Sequence, residues 1–75
     1  MTIIAPRVAV DPLIRFGKPV IQGTRVPVSV IVGAVASGDS WEEIGREYGI
    51  NEEDIRAALA YAVVRLEEET IRAPI

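Results

Sequence analysis

The run from Ser40 to Asp54 constrains the fold more than any other part of the chain, because it holds a helix start, a helix stop and a second helix start in quick succession. In Ser40-Trp41-Glu42-Glu43 the serine hydroxyl can accept from the backbone N–H of Glu43, and the Glu43 carboxylate can reach back to the serine N–H, which makes a capping box. Gly49 supplies a left-handed helix stop. Ile50 is expected to point inward, and Asn51 to cap the next helix, whose first turn carries Glu52, Glu53 and Asp54 where the helix dipole favours negative charge. Two helices joined this tightly have the spacing of a helix-turn-helix, and the small and apolar positions such a pair needs are filled by Gly45, Gly49, Ile50 and Ile55. Any tight helix pair needs the same residues, so the pattern speaks more strongly for the geometry than for DNA binding.

A third helix precedes this pair. Valine at every second position from Val26 to Val32 fits a strand, but Ala34-Val35-Ala36 continues without a break into Ser37-Gly38, a helix stop, and Pro27 suits a first turn. The helix is therefore placed from about Pro27 to Ser37. Upstream, Val8-Ala9-Val10 is strand-like and Asp11-Pro12 ends it. A second short strand is placed at Leu13 to Phe16, with turns at Gly17-Lys18-Pro19 and Gln22-Gly23-Thr24 around an extended Val20-Ile21. The expected fold class is mainly α with a short N-terminal β segment and a three-helix helix-turn-helix core of winged-helix or homeodomain-like type. Residues 1–75 form a single domain, with a β-hairpin region at 8–25, a three-helix bundle at 27–69 and the helix-turn-helix at 40–66.

With 75 residues, no cysteine and no histidine, the chain has none of the disulfide, thiolate or imidazole-metal supports that small folds commonly use. Its apolar content of 49% is high for such a body, and the surplus is read as surface meant for another chain. A homodimer is the default expectation. The last helix, with its inner stripe on Ile55, Leu59, Ala62, Val63 and Leu66, carries from Ala57 to Val64 no polar group but the Tyr61 hydroxyl, so it is apolar all round. Ala57, Tyr61 and Val64 are expected to face a partner, with Leu66 and Ile71 as further anchors. Nothing in the N-terminal stretch has the form of a signal peptide, and the longest apolar run, Val26 to Ala36, is too short for a bilayer, so a cytoplasmic protein with no membrane partner is expected.

Charge is unevenly spread. Residues 1–38 set Arg7, Arg15, Lys18 and Arg25 against Asp11 alone, a balance of +3, while residues 39–75 have a balance of −6. A DNA-reading helix would present its first turn to polyanionic DNA, yet that turn here is Glu52-Glu53-Asp54, and only Arg56 could contribute a contact from the early part of the helix. Any attraction to nucleic acid should come from Arg7, Arg15, Lys18, Arg25 and Arg46; the candidate DNA-binding set is Lys18, Arg25, Arg46 and Arg56. Arg25 has an equal claim to a structural role, reaching Glu42 or Glu43 to fix the hairpin on the helices, while Thr24 caps locally. No catalytic constellation, phosphate cradle or metal-ligand spacing occurs, so neither an enzyme nor a cofactor is expected.

The segment Gly17-Lys18-Pro19-Val20-Ile21-Gln22-Gly23-Thr24-Arg25-Val26-Pro27-Val28 is the most distinctive. Taken with Val10-Asp11-Pro12 before it and with Trp41-Glu42-Glu43-Ile44, Tyr48 and Asp54 to Ala62 after it, it resembles the domain of unknown function 433 family over residues 8 to about 66. Where that family more often carries arginine, this chain has Gln22. The resemblance implies an antitoxin of the VapB type, with an N-terminal β segment and a helix-turn-helix, that neutralises a PIN-like ribonuclease toxin and represses its own operon by binding operator DNA. The competing readings are a stand-alone dimeric DNA-binding regulator and an oligomerisation module that binds no DNA.

Overall fold

The computed structural model describes residues 1–70. A three-stranded antiparallel sheet, β1 (Thr2–Ala5), β2 (Val8–Val10) and β3 (Val20–Ile21), precedes three helices, α1 (Val28–Ala36), α2 (Trp41–Tyr48) and α3 (Glu52–Glu68). The order is β1-β2-β3, so the very short β2 is the central strand. Its two faces separate cleanly because strand side chains alternate. Val8 pairs with Ile21 and joins the helical core, whereas the neighbouring pair Ala9 and Val20 is buried on the sheet's other side.

Two expectations fail in the β half. The hairpin begins earlier than expected, with β1 pairing β2 through a turn at Pro6-Arg7. Leu13 to Phe16 is not a strand: Asp11 bridges Ile14, its carboxylate accepts from the Leu13 N–H at 2.9 Å, and a tight 3-10 turn follows at Arg15–Gly17. An aspartate that turns the chain onto the residue two positions ahead competes with ladder formation, and here it wins. α1 lies where the sequence places it, between the caps Pro27 and Ser37; Pro27 keeps extended geometry because it bridges Val20, and the Val28 N–H donates to the Pro19 carbonyl at 3.0 Å.

The core cluster is Val8, Ile21, Val28, Ile31, Ile44, Ile50, Ile55 and Ala58, so each helix and two strands contribute to it. Trp41 and Tyr48 pack against it from α2, on the side of Ile44. The close crossing of α2 and α3 depends on Gly45, since a Cβ there would lie 2.8 Å from the carbonyl oxygen of Ile50. Gly49 ends α2 at φ 67, a left-handed conformation that glycine enters without steric cost.

Candidate functional site

The two ends of α3 are built differently. Its start is closed. Asn51 accepts from the Asp54 N–H at 2.9 Å and the Asp54 carboxylate accepts from the Asn51 N–H at 3.1 Å, a complete reciprocal capping box. The remaining Asp54 oxygen and Glu53 are taken by Arg7, which reaches across from the β1–β2 turn and donates to Asp54 at 3.0 Å. Glu52 is paired with Arg56 at 2.6 Å, and the Arg56 guanidinium lies 5.1 Å from the centre of the Trp41 ring. All three carboxylates of the acidic turn are thus engaged with cations of the same chain. What had the sequence position of a DNA-reading turn is a clasp that holds the hairpin to the helices.

That clasp corrects one expectation. Arg25 does not reach Glu42 or Glu43; the arginine that ties sheet to helix is Arg7, and the Arg25 carbonyl instead accepts from Arg15 Nε at 3.2 Å. Thr24 does cap its turn, donating to the Ile21 carbonyl at 2.8 Å and accepting from the Val26 N–H at 3.0 Å. At Ser40 the serine oxygen accepts from the Glu43 N–H as expected, but the Glu43 carboxylate accepts from the serine hydroxyl at 3.0 Å rather than from its backbone N–H.

The far end of α3 is open. Ile55 and Ala58 are fully buried and Leu59 and Ala62 partly so, but the stripe then runs past the body of the fold. Val63, Val64 and Leu66 are each more than half exposed (54%, 53% and 66%). Placing Val63 and Leu66 in the core was therefore wrong, and Ala58, which fills the tight contact at the centre of the helix, was overlooked. The last turns meet α1 only across an open cleft, while the first turns pack on α1, α2 and the sheet.

Two faces remain on the open end. On one, Ala57, Ala60 and Val64 line a shallow hollow whose far wall is Ala5 and Pro6 of the hairpin turn, so Ala57 and Tyr61 are half-covered by the chain itself and Val64 stands clear. On the other, Tyr61, Ala62 and Leu66 face α1 across an apolar cleft of about 630 Å³. Ile71 lies outside the described residues. Of the four candidate DNA contacts, Arg56 is committed to Glu52 and Trp41, whereas Lys18, Arg25 and Arg46 form no ion pair among the described residues. Lys18 and Arg25 sit in the β half, Arg46 on α2 and Arg56 on α3.

Sequence reasoning missed Leu13 and Phe16, which are 88% and 98% exposed. Their signal was Asp11 at Asx-turn spacing before Leu13 and glycine directly after Phe16. Among the described residues no helix is long and apolar enough to cross a membrane, and no group of three potential metal ligands occurs.

Comparison with known proteins adds a frame. A family model described as "Protein of unknown function (DUF433)" matches residues 8–62. A Mycobacterium tuberculosis protein named "Putative antitoxin VapB45" is 31% identical over 52 residues, which are 69% of this chain and 22% of that protein. The crystal structure of Rv2018 from the same organism superposes with a TM-score of 0.64 at 31% identity, over 69% of this chain and 24% of that one. The chain thus spans about a quarter of the length of the relatives it matches.

Proposed function

The chain belongs to the DUF433 family, and from that premise we propose that it is an antitoxin-like protein that binds and neutralises a PIN-like ribonuclease encoded beside it. It acts by binding and not by catalysis. The observation that carries the reading is the open end of α3: valines on two successive positions of a well-formed helix, each more than half exposed, on the side turned away from α1. Burying a valine contributes about 1.5 kcal/mol, so a partner covering Val63, Val64 and the adjoining Ala60 gains affinity from surface the fold leaves uncovered. The name of the M. tuberculosis relative supports the direction of the reading.

Neutralisation asks for little chemistry. A PIN-type active site is a cluster of carboxylates around a divalent metal, and it is blocked by a basic side chain placed into it or by a helix and tail laid across its mouth. Arg65 follows Val64 directly, and its guanidinium lies 5.8 Å from the Tyr61 ring centre and 3.0 Å from the Glu68 carboxylate, in an exposed pair that can be exchanged for a partner's carboxylates at small cost.

Coexpression with the adjacent reading frame tests this. The pair should copurify, the nuclease should fall silent at one equivalent of the chain, and Val63→Asp with Val64→Asp should release it. Nuclease activity unchanged by a molar excess of the unaltered chain would refute the reading.

A second activity, repression of its own operon, is supported by one observation: Lys18, Arg25 and Arg46 carry charge that no carboxylate of the described chain neutralises. In this reading α2 and α3 are a helix-turn-helix whose acidic reading turn is occupied by Arg7, so operator DNA meets the basic β half first. Binding should weaken steeply with salt and be reduced by Lys18→Ala and Arg25→Ala. No mobility shift of the operator at low salt would remove this part of the account.

A further inference from the structure

The loop between β2 and β3 holds an aromatic ring out in solvent. Arg15, Phe16 and Gly17 occupy the left-handed region in succession, at φ 52, 57 and 80. Two consecutive non-glycine residues there are costly, and such conformations persist only where the surroundings hold them. Here they are held: Gly17 N–H donates to the Ile14 carbonyl at 3.1 Å, Lys18 N–H to that of Arg15 at 3.1 Å, and Arg15 Nε to the Arg25 carbonyl at 3.2 Å. Phe16 is thereby fixed outward at 98% exposure, with Leu13 at 88% on the same loop. Strain of this kind gathers at binding sites, where it presents a side chain ready for its ligand.

The surroundings of the ring are cationic. Arg15, Lys18 and Arg25 form no ion pair among the described residues. Arg15 and Lys18 flank Phe16 and Gly17 in the chain, and the bond from Arg15 Nε to the Arg25 carbonyl draws the third cationic residue against the turn. The one carboxylate of residues 1–38, that of Asp11, accepts from the Leu13 N–H at 2.9 Å. Beyond the turn, Lys18 and Arg65 are the charged lining of the apolar cleft between α1 and α3, and no carboxylate lines it. Positive surface therefore continues from the ring along the neighbouring cleft.

We infer that this turn is a binding site for single-stranded RNA, in which a base stacks on the Phe16 ring while Arg15, Lys18 and Arg25 pair with phosphates beside it. A positive surface that tracks the backbone, together with an aromatic face for a base, is the combination that single strands bind. In a duplex the bases are stacked on one another and offer the ring no face without being opened. RNA is the nucleic acid whose loops, bulges and ends leave bases free to stack on a side chain. A bilayer fits less well, because two apolar side chains bury less than a single acyl chain, which itself holds a protein to a membrane only marginally. The charge asymmetry orients the encounter, with the +3 half leading and the −6 half turned away from the polyanion. This site goes beyond both activities proposed above and does not depend on them: neutralisation rests on the end of α3, and operator binding uses the cations without the ring.

Fluorescence anisotropy of a short, unstructured, labelled RNA titrated with the full chain tests the inference, with circular dichroism confirming that each variant keeps its helices. The unaltered chain should bind the single strand more tightly than the same RNA annealed to its complement. Phe16→Ala should weaken single-strand binding at least about tenfold, whereas Phe16→Tyr, which retains a stacking face, should preserve it. Lys18→Ala should also weaken it, and should lower the slope of log affinity against log salt by about 0.7. Phe16→Ala should leave any shift of the operator duplex unchanged, which keeps the two activities apart. No binding of the single strand at low salt, a duplex bound as tightly, or a folded Phe16→Ala chain that binds as well as the unaltered one would overturn the proposal. So would a chain that ignores RNA but binds phosphatidylserine vesicles through Phe16, which would assign the turn to a membrane surface.

Discussion

The start and the end of α3, Asn51–Ala58 and Val63–Glu68, each carry three alanine or branched apolar residues, yet one is fastened and the other exposed. Between Asn51 and Ala58 the helix has a reciprocal cap, an arginine clasp from the sheet, and two side chains with no exposure. Between Val63 and Glu68 every residue is exposed. The difference teaches that apolar content alone does not say whether a helix segment is core. What decides is whether another element packs closely on it, and α1 faces the end of α3 only across an open cleft.

Substitutions along α3 and beside it sharpen this contrast. Ile55→Ala empties the centre of the core and should cost about 2–5 kcal/mol, enough to unfold so small a chain in a thermal melt. Gly45→Ala drives a methyl against the Ile50 carbonyl, forcing α2 and α3 apart, and should cost about 1–3 kcal/mol by chemical denaturation. Asn51→Ala loses the cap and should cost about 1 kcal/mol. Arg7→Ala opens the clasp; its Glu53 arm is exposed but Asp54 is only 15% exposed, so the loss should be about 1 kcal/mol and shrink as salt rises. At the open end, Val63→Asn and Val64→Asn should change stability by no more than about 0.5 kcal/mol. If the last two prove as damaging as Ile55→Ala, the distinction between the ends of the helix is wrong.

Much of the helical half was legible because its signals are local. Ser40, Gly49 and Asn51 act on backbone groups within a few residues of themselves, and glycine at position 45 announces a close approach. The β half was less so. Asp11 and Gly17 marked a turn, but a reading by apolar content made Leu13 to Phe16 a strand, since nothing in the local sequence says that Phe16 will be held in solvent by bonds to Gly17, Lys18 and Arg25. The clasp was illegible for a different reason. Arg7 and Asp54 are 47 positions apart, and the choice of Arg7 over Arg25 depends on where the hairpin turn falls when the sheet packs on α3. At the candidate binding surface, the apolar all-round character of α3 was visible in the sequence, but the stripe by itself could not show where the fold stops covering it.

Amide hydrogen exchange along α3, measured for the chain alone and in complex with the product of the adjacent reading frame, tests the central claim most directly. The account predicts slow exchange from Ile55 to Ala58 in both states, and fast exchange from Val63 to Glu68 in the free chain that becomes slow in the complex. Added protection confined to the start of α3, with Val63 to Glu68 still exchanging freely in the complex, would contradict it.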